Sequence, residues 1–229
     1  MWVDKDTTVC ISLARTAGNF GTRVHNAMFQ KLGLNFLYKS FSTDDIAQAI
    51  YGARAMGIRG ISVTTPYKME VLRLVDTVTP EAQFTGAANT VVNNGGVLVA
   101  YNTDTDSARI LLEEQKNRST LYILGNGGFS KAVQYSAAGL FDTIKIIERK
   151  NWDDFHNIRE GVVFNCTPLQ ELCFPDAEIS FIDCDIKSPT GRRLAVLQAS
   201  RQFELYTGRK FLTDYVLGNL DEILVGKVP

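Results

Sequence analysis

Histidine and cysteine are scarce in this chain. Two histidines and four cysteines are spread over 229 residues, and Cys10, Cys166, Cys173 and Cys184 form no C-x-x-C pair. That excludes a zinc cluster, a disulfide-knotted secreted module and a two-histidine metalloprotease, so no metal is expected. Scattered thiols point to a reducing compartment and a cytoplasmic location. Neither sign of charge is in excess: 24 lysines and arginines face 25 aspartates and glutamates, for a net charge of -1. Without a basic surplus there is no counterion-release footprint, and no nucleic-acid partner is expected. Long apolar runs are missing as well, none approaching the ~20 residues that a bilayer requires, so no membrane partner is expected. Asp4, Lys5 and Asp6 precede any apolar segment and do not read as a signal peptide. Repeats, low-complexity tracts and long charge blocks are absent, which leaves the chemistry to point constellations.

At 229 residues the chain is long enough for one large domain or two small ones, and it needs neither disulfide nor metal to stabilise a core. Residues 7–13 (TTVCISL) predict a strand, and Val24, Ala27, Met28 and Leu32 at helical spacing predict a helix over 22–32 that stops at Gly33. A strand at 34–41, a helix at 44–56 and a strand at 60–65 follow. This β-α-β-α-β progression implies a largely parallel sheet covered by helices. The second half predicts strands at 121–125, 143–148, 161–165 and 179–185, with a helix over 130–138. NWDDFHNIRE leaves room for a short helix at best. The segment 194–225 reads as mostly helical. The fold class is therefore α/β, with a boundary near Thr103 to Asp106.

LYILGNGGFSKA is the most informative stretch. A strand ending at Gly125, then Asn126, Gly127, Gly128 and Phe129, then a helix from Ser130, offers a tight turn and free backbone N–H groups for a pyrophosphate. The plainer alternative is a glycine turn that only packs closely. The next strand ends at Glu148, Arg149 and Lys150, where an adenosine ribose would lie. Glu148 suits a free 2′-hydroxyl and hence NAD, while Arg149 and Lys150 suit a 2′-phosphate and hence NADP, so residue types alone leave both open.

Polar groups just beyond strand ends line the ligand crevice of such folds. Thr64 and Lys68 in SVTTPYK, Asn89 in GAANT and Asp104 in AYNTDTD are candidates. A lysine close to a carboxylate can hold a hydroxyl and pass its proton while hydride leaves the same carbon. Taken singly, Lys68 also reads as a solvated amine, Asp104 as a helix cap, and Asn89 and Asn102 as turn residues.

Taken in order, HNAMF (25–29), SVTTPYK (62–68), GAANT (86–90), AYNTD (100–104), GNGGFSKA (125–132), NCTP (165–168) and QASRQFELYTG (198–208) resemble the blocks of shikimate dehydrogenases. The similarity is greatest to the divergent shikimate dehydrogenase-like branch and covers nearly the whole chain. It implies a substrate-binding and catalytic domain over 1–103, a trimmed Rossmann-like dinucleotide-binding domain over 104–197, a cleft between them, and a helical segment over 198–229 packing back on the first domain. It further implies Lys68 and Asp104 as the catalytic pair, and Thr22, Thr64, Asn89 and Gln198 as contacts to a small cyclic hydroxy acid. Gly125 to Ser130, Glu148, Arg149, Lys150, Thr167 and Gly191 would hold the cofactor, with Arg149 in the place that grips the 2′-phosphate of NADP; NAD is the alternative. The implied activity is reversible hydride transfer to or from a ring carbon of shikimate or a related cyclic polyol acid, in a monomer or homodimer, within aromatic amino acid biosynthesis.

Two departures stand out. The family's Ser-x-Ser pair, which holds the shikimate carboxylate, is replaced by the stretch 15–22, where Thr22 supplies the hydroxyl. The stretches 149–165 and 183–198 are shorter than the family pattern. These departures support an alternative, a weakly active or inactive ligand-binding protein with a degenerate cofactor domain. His25 reads as a hydrogen-bonded structural residue, Phe203 and Tyr206 mainly as packing, with Tyr206 also placed to edge the substrate pocket, and His156, Trp2 and Trp152 carry no functional signal.

Overall fold

The structure is a computed structural model and describes residues 3–170, 172, 174 and 178–228, so Trp2 and Cys173 lie outside the described residues. The chain divides into two compact units, Met1–Thr103 with Val196–Pro229, and Asp104–Ala195.

Unit one begins with β1 (Thr8–Ala14), α1 (Phe20–Lys31), β2 (Phe36–Ser42), α2 (Ile46–Ala55) and β3 (Gly60–Val63), close to the ranges read from periodicity. It continues through a 3-10 turn (Glu70–Arg73), β4 (Thr77–Val78), α3 (Pro80–Thr85), β5 (Thr90–Asn94) and β6 (Val97–Tyr101). Among the described residues these strands form one six-stranded sheet, ordered β2-β1-β3-β5-β6-β4. Strand β1 runs parallel to β2 and β3, but β5 is antiparallel to both β3 and β6. The expectation of a largely parallel sheet is thus corrected to a mixed one. Its cause is local: Gly95 and Gly96, at φ +63° and +98°, close a two-residue hairpin between β5 and β6, and only glycine enters two such positions in succession without cost. The Asn93 side chain braces the turn by accepting the Gly96 N–H at 2.7 Å.

Strand alternation sorts β1 onto two cores. Ile11 and Leu13 pack with Ile46, Ile50 and Ala53 of α2, whose start is capped by Asp45 accepting from the Gln48 N–H. Cys10 packs on the other face with Val24, Met28 and Phe29 of α1.

Unit two starts in the first turn of α4 (Thr103–Glu113) and runs through β7 (Thr120–Leu124), α5 (Gly128–Ala137), β8 (Thr143–Ile147), a 3-10 segment (Arg149–Asn157), β9 (Glu160–Asn165) and β10 (Glu178–Asp183). The strands, all parallel, are ordered β10-β9-β7-β8. After β7 the chain builds β8 on one side and then crosses to place β9 on the other, which creates a switch point at the carboxyl end of β7. The 3-10 segment, as short as its sequence predicts, covers the sheet with Trp152 and Phe155 against Leu124, Ile147 and Val163.

Helix α6 (Pro189–Thr207) carries the chain back to unit one, followed by α7 (Thr213–Gly218) and α8 (Leu220–Leu224). Val196, Ala199, Phe203 and Tyr206 form its apolar stripe and complete the core containing Cys10. Tyr206 lies so close over β3 that a Cβ on Gly60 would sit 2.3 Å from its ring.

Candidate active site

The turn after β7 is built for close approach. Gly125 adopts φ +92°, its N–H donates to Ile147 O at 2.7 Å, and a Cβ there would press against Thr167 Cγ2 at 3.0 Å. Cys166 N–H donates to Leu124 O, so the loops following β7 and β9 touch at the switch point. Gly127 caps α5, and among the described residues no side chain accepts from its first-turn N–H groups. A Cβ on Gly127 or Gly128 would meet nothing within 4 Å, leaving those donors open to a ligand.

The other residues expected here divide by what they touch. Ser130 is buried and donates to Gly125 O at 2.8 Å, bracing the turn from beneath. Phe129 packs toward Phe164, with ring centroids 6.0 Å apart. Thr167 donates through both N and Oγ1 to Asn165 Oδ1. Asn126, Glu148 and Lys150 come together: Glu148 accepts from Asn126 at 3.2 Å and pairs with Lys150 at 2.5 Å. Lys150 first, and then Asn126, hold the Glu148 carboxyl below its ordinary range. Arg149 is exposed beside them. Gly191 lies in the first turn of α6, where a Cβ would clash with the Asp185 carbonyl. That glycine serves a close packing contact beneath the turn after β10.

In unit one, Thr64 N–H donates to Leu13 O, and a cis Thr65–Pro66 bond leads to Lys68. Ala88 N–H donates to Lys68 O at 2.7 Å and Val63 N–H to Asn89 O at 2.8 Å, which fixes the lysine and asparagine segments side by side. Asn89 is 1% exposed, and its Oδ1 accepts from Thr90 Oγ1, Thr103 N and Thr103 Oγ1. Three donors on one oxygen determine which way the amide faces. Asn102 is likewise buried, donating to Thr85 Oγ1 and Ala87 O. Asp104 is nearly buried at the start of α4 and belongs to unit two, whereas Lys68 and Asn89 belong to unit one.

Two partners escape sequence reading. Thr22 pairs with Ser40 of β2, hydroxyl to hydroxyl at 2.8 Å, so this region holds a second hydroxyl that no local pattern announces. Gln202 donates to Thr90 Oγ1 at 2.9 Å and to Asn89 O at 3.3 Å. It follows Gln198 by one helical turn in α6, and that spacing was its available signal. His25 is fully buried and stacked on Tyr38 with centroids 4.5 Å apart. Among the described residues neither ring nitrogen has a hydrogen-bond partner at normal geometry, which corrects the expectation of a hydrogen-bonded histidine: its ring is held by aromatic stacking instead. Burial pushes its pKa down to about 4, with Gln202 offsetting this slightly.

Among the described residues no group of three or more His, Cys, Asp or Glu side chains is placed to hold a metal, and no helix is long and apolar enough to cross a membrane.

A mixed-sheet unit joined to a parallel unit with a glycine turn at its switch point is the architecture of two-part α/β enzymes whose second part is Rossmann-like. A family model, the shikimate dehydrogenase substrate binding domain, matches residues 20–91. A shikimate dehydrogenase-like protein of Haemophilus influenzae is 34% identical over a 255-residue alignment covering 91% of this chain and 93% of that protein. The chain belongs to the shikimate dehydrogenase-like family. A shikimate dehydrogenase (NADP(+)) of Caldanaerobacter subterraneus is 30% identical over 249 aligned residues, covering 84% of this chain and 89% of its own. The solved structure of a shikimate 5-dehydrogenase-like protein superposes with a TM-score of 0.85 at 32% identity, covering 98% of this chain and all of the other.

Proposed function

We propose that this protein is an NADP-dependent oxidoreductase that moves hydride reversibly between the nicotinamide and a ring carbon of shikimate or a related cyclic polyol acid. The observation that carries this reading is the open glycine turn at the switch point of the unit-two sheet, in a chain similar to an enzyme named for NADP(+). The residues fit such a group. Uncapped N–H groups of α5 suit the pyrophosphate, and exposed Arg149 suits a 2′-phosphate. Glu148, already engaged by Lys150 and Asn126, competes poorly for a bare 2′-hydroxyl, which favours NADP over NAD.

The cofactor supplies the hydride acceptor or donor. This chain's own residues manage the rest: Lys68 and Asp104 hold the reacting hydroxyl and pass its proton, while Asn89, Gln198 and Thr64 orient the ring. Thr22 with Ser40 offers a hydroxyl pair to the substrate's carboxylate. A second reading, a binding protein with a reduced cofactor unit, draws on the four-stranded sheet seen among the described residues of unit two. Calorimetric titration with NADP, with NAD and with NADP plus shikimate separates the two. Micromolar NADP binding that shikimate strengthens is expected. Shikimate binding without any nucleotide binding overturns the enzyme reading in favour of the second.

A further inference from the structure

Two cysteines end neighbouring strands of unit two in register. Strands β9 and β10 pair in parallel from Glu160 and Glu178 to Asn165 and Asp183, so Cys166 and Cys184 are the next residues on each strand. The ladder extends into this position, because Cys184 N–H donates to Asn165 O at 3.1 Å. Asn165 and Asp183 touch through their side chains at 3.3 Å and so share one face. Their successors therefore turn together to the opposite face. Adjacent strands lie about 4.8 Å apart, inside the Cα separation that disulfides span, and Cβ atoms at that spacing need to close by about 1 Å to reach typical disulfide geometry. Both cysteines are free and, as residues, less buried than Cys10.

The surroundings make this pair slow to react at neutral pH, because the thiolate is the nucleophile. Burial, then the neighbouring thiol and Asp183, push the Cys166 thiol well above its ordinary value. Burial and Asp183, with smaller effects from Asp185 and Asp104, push Cys184 up to about 11. The pair also sits where the function was placed. Cys166 N–H bonds to Leu124 O, the following Thr167 rests against Gly125, and Cys184 lies within the field of Asp104.

We infer that Cys166 and Cys184 form a redox-sensitive dithiol that closes to a disulfide across the carboxyl ends of β9 and β10 and thereby regulates the nucleotide turn. The oxidant is a low-molecular-weight disulfide such as glutathione disulfide. Cys184, the less enclosed thiol, loses its proton to solvent and attacks one glutathione sulfur, expelling a glutathione thiolate and leaving a mixed disulfide. Cys166, deprotonated in turn, attacks the Cys184 sulfur, expelling the second glutathione. Two S–H bonds are lost, one protein S–S bond forms, and one glutathione disulfide is reduced to two thiols. The bridge draws Cys166 toward β10 and takes Thr167 with it, away from Gly125. The regulatory half of this inference rests on the NADP reading above.

The test uses the full chain carrying Cys173→Ser, since Cys173 lies outside the described residues. After incubation with glutathione disulfide and alkylation of remaining thiols, peptide mapping should show a Cys166–Cys184 linked peptide. It should be reversible by dithiothreitol and absent when Cys166→Ser or Cys184→Ser is added. Its rate should rise about tenfold between pH 7.5 and 8.5, following the thiolate fraction. Both cysteines recovered alkylated or singly glutathionylated would overturn the dithiol. In the bridged protein NADP affinity should fall at least threefold, and unchanged affinity would overturn the regulatory half. Reduced protein that binds no NADP would defeat the nucleotide reading itself, while the linked peptide still decides the dithiol.

Discussion

His25 is a single side chain with a measurable effect on the whole molecule. In the unfolded chain it takes up a proton near pH 6.5, and in the fold only near 4. The unfolded state therefore gains its proton first as pH falls. The stability due to the neutral ring is complete above pH 6.5 and is lost progressively between 6.5 and 4, on the order of 3 kcal/mol in all. His25→Phe keeps an aromatic ring stacked on Tyr38 but cannot titrate. Urea unfolding at several pH values should show that the variant loses most of the wild-type slope in that window, and an identical slope would show that other groups carry it. At this scale the sequence is legible where a residue acts locally and silent where it acts at a distance. The lysine after SVTTPY can be picked out by type and position. The pairing of Thr22 with Ser40, and of Gln202 with Thr90, joins residues remote in sequence and leaves no local trace.

Among the elements, the strand-turn-helix of β7 and α5 is the clearest in the sequence, because an apolar strand, a glycine turn and a helical period follow each other without a gap. The β5–β6 hairpin is the counterexample. Its signal, two glycines between VVNN and VLVAY, is local and available, yet the β-α-β rhythm before it suggests that a parallel pattern continues. Gly191 teaches a different lesson, since a glycine required for packing against Asp185 and one required for a ligand look alike in sequence. Gly127 allows the two roles to be separated by experiment. A Cβ there meets nothing among the described residues within 4 Å and the backbone is extended, so Gly127→Val should fold with a melting temperature close to that of the wild type. It should also bind NADP at least tenfold more weakly, because the branched side chain covers the N–H groups at the start of α5. Equal affinity in calorimetry would place the pyrophosphate elsewhere.

For the whole molecule, activity should depend on a residue of each unit. Lys68→Met keeps the length and loses the charge. With shikimate and NADP it should lower kcat by about a hundredfold or more while leaving NADP affinity within twofold, as expected when a proton-transfer group is removed and the nucleotide turn is left intact. Steady-state kinetics beside nucleotide titration checks this, and a loss confined to KM would make Lys68 a binding group only.

The return of the chain into unit one through α6 also sets an order of events during synthesis. Residues 1–103 leave the ribosome before unit two, and α1 covers part of the face that carries Cys10 and Tyr38, but the rest of its cover comes from Val196, Phe203 and Tyr206, which are made after unit two. Unit two is continuous in sequence and has all its strands available before those residues emerge. Unit one is thus begun before unit two and finished after it, and until then the uncovered part of its apolar face is the natural client of a chaperone.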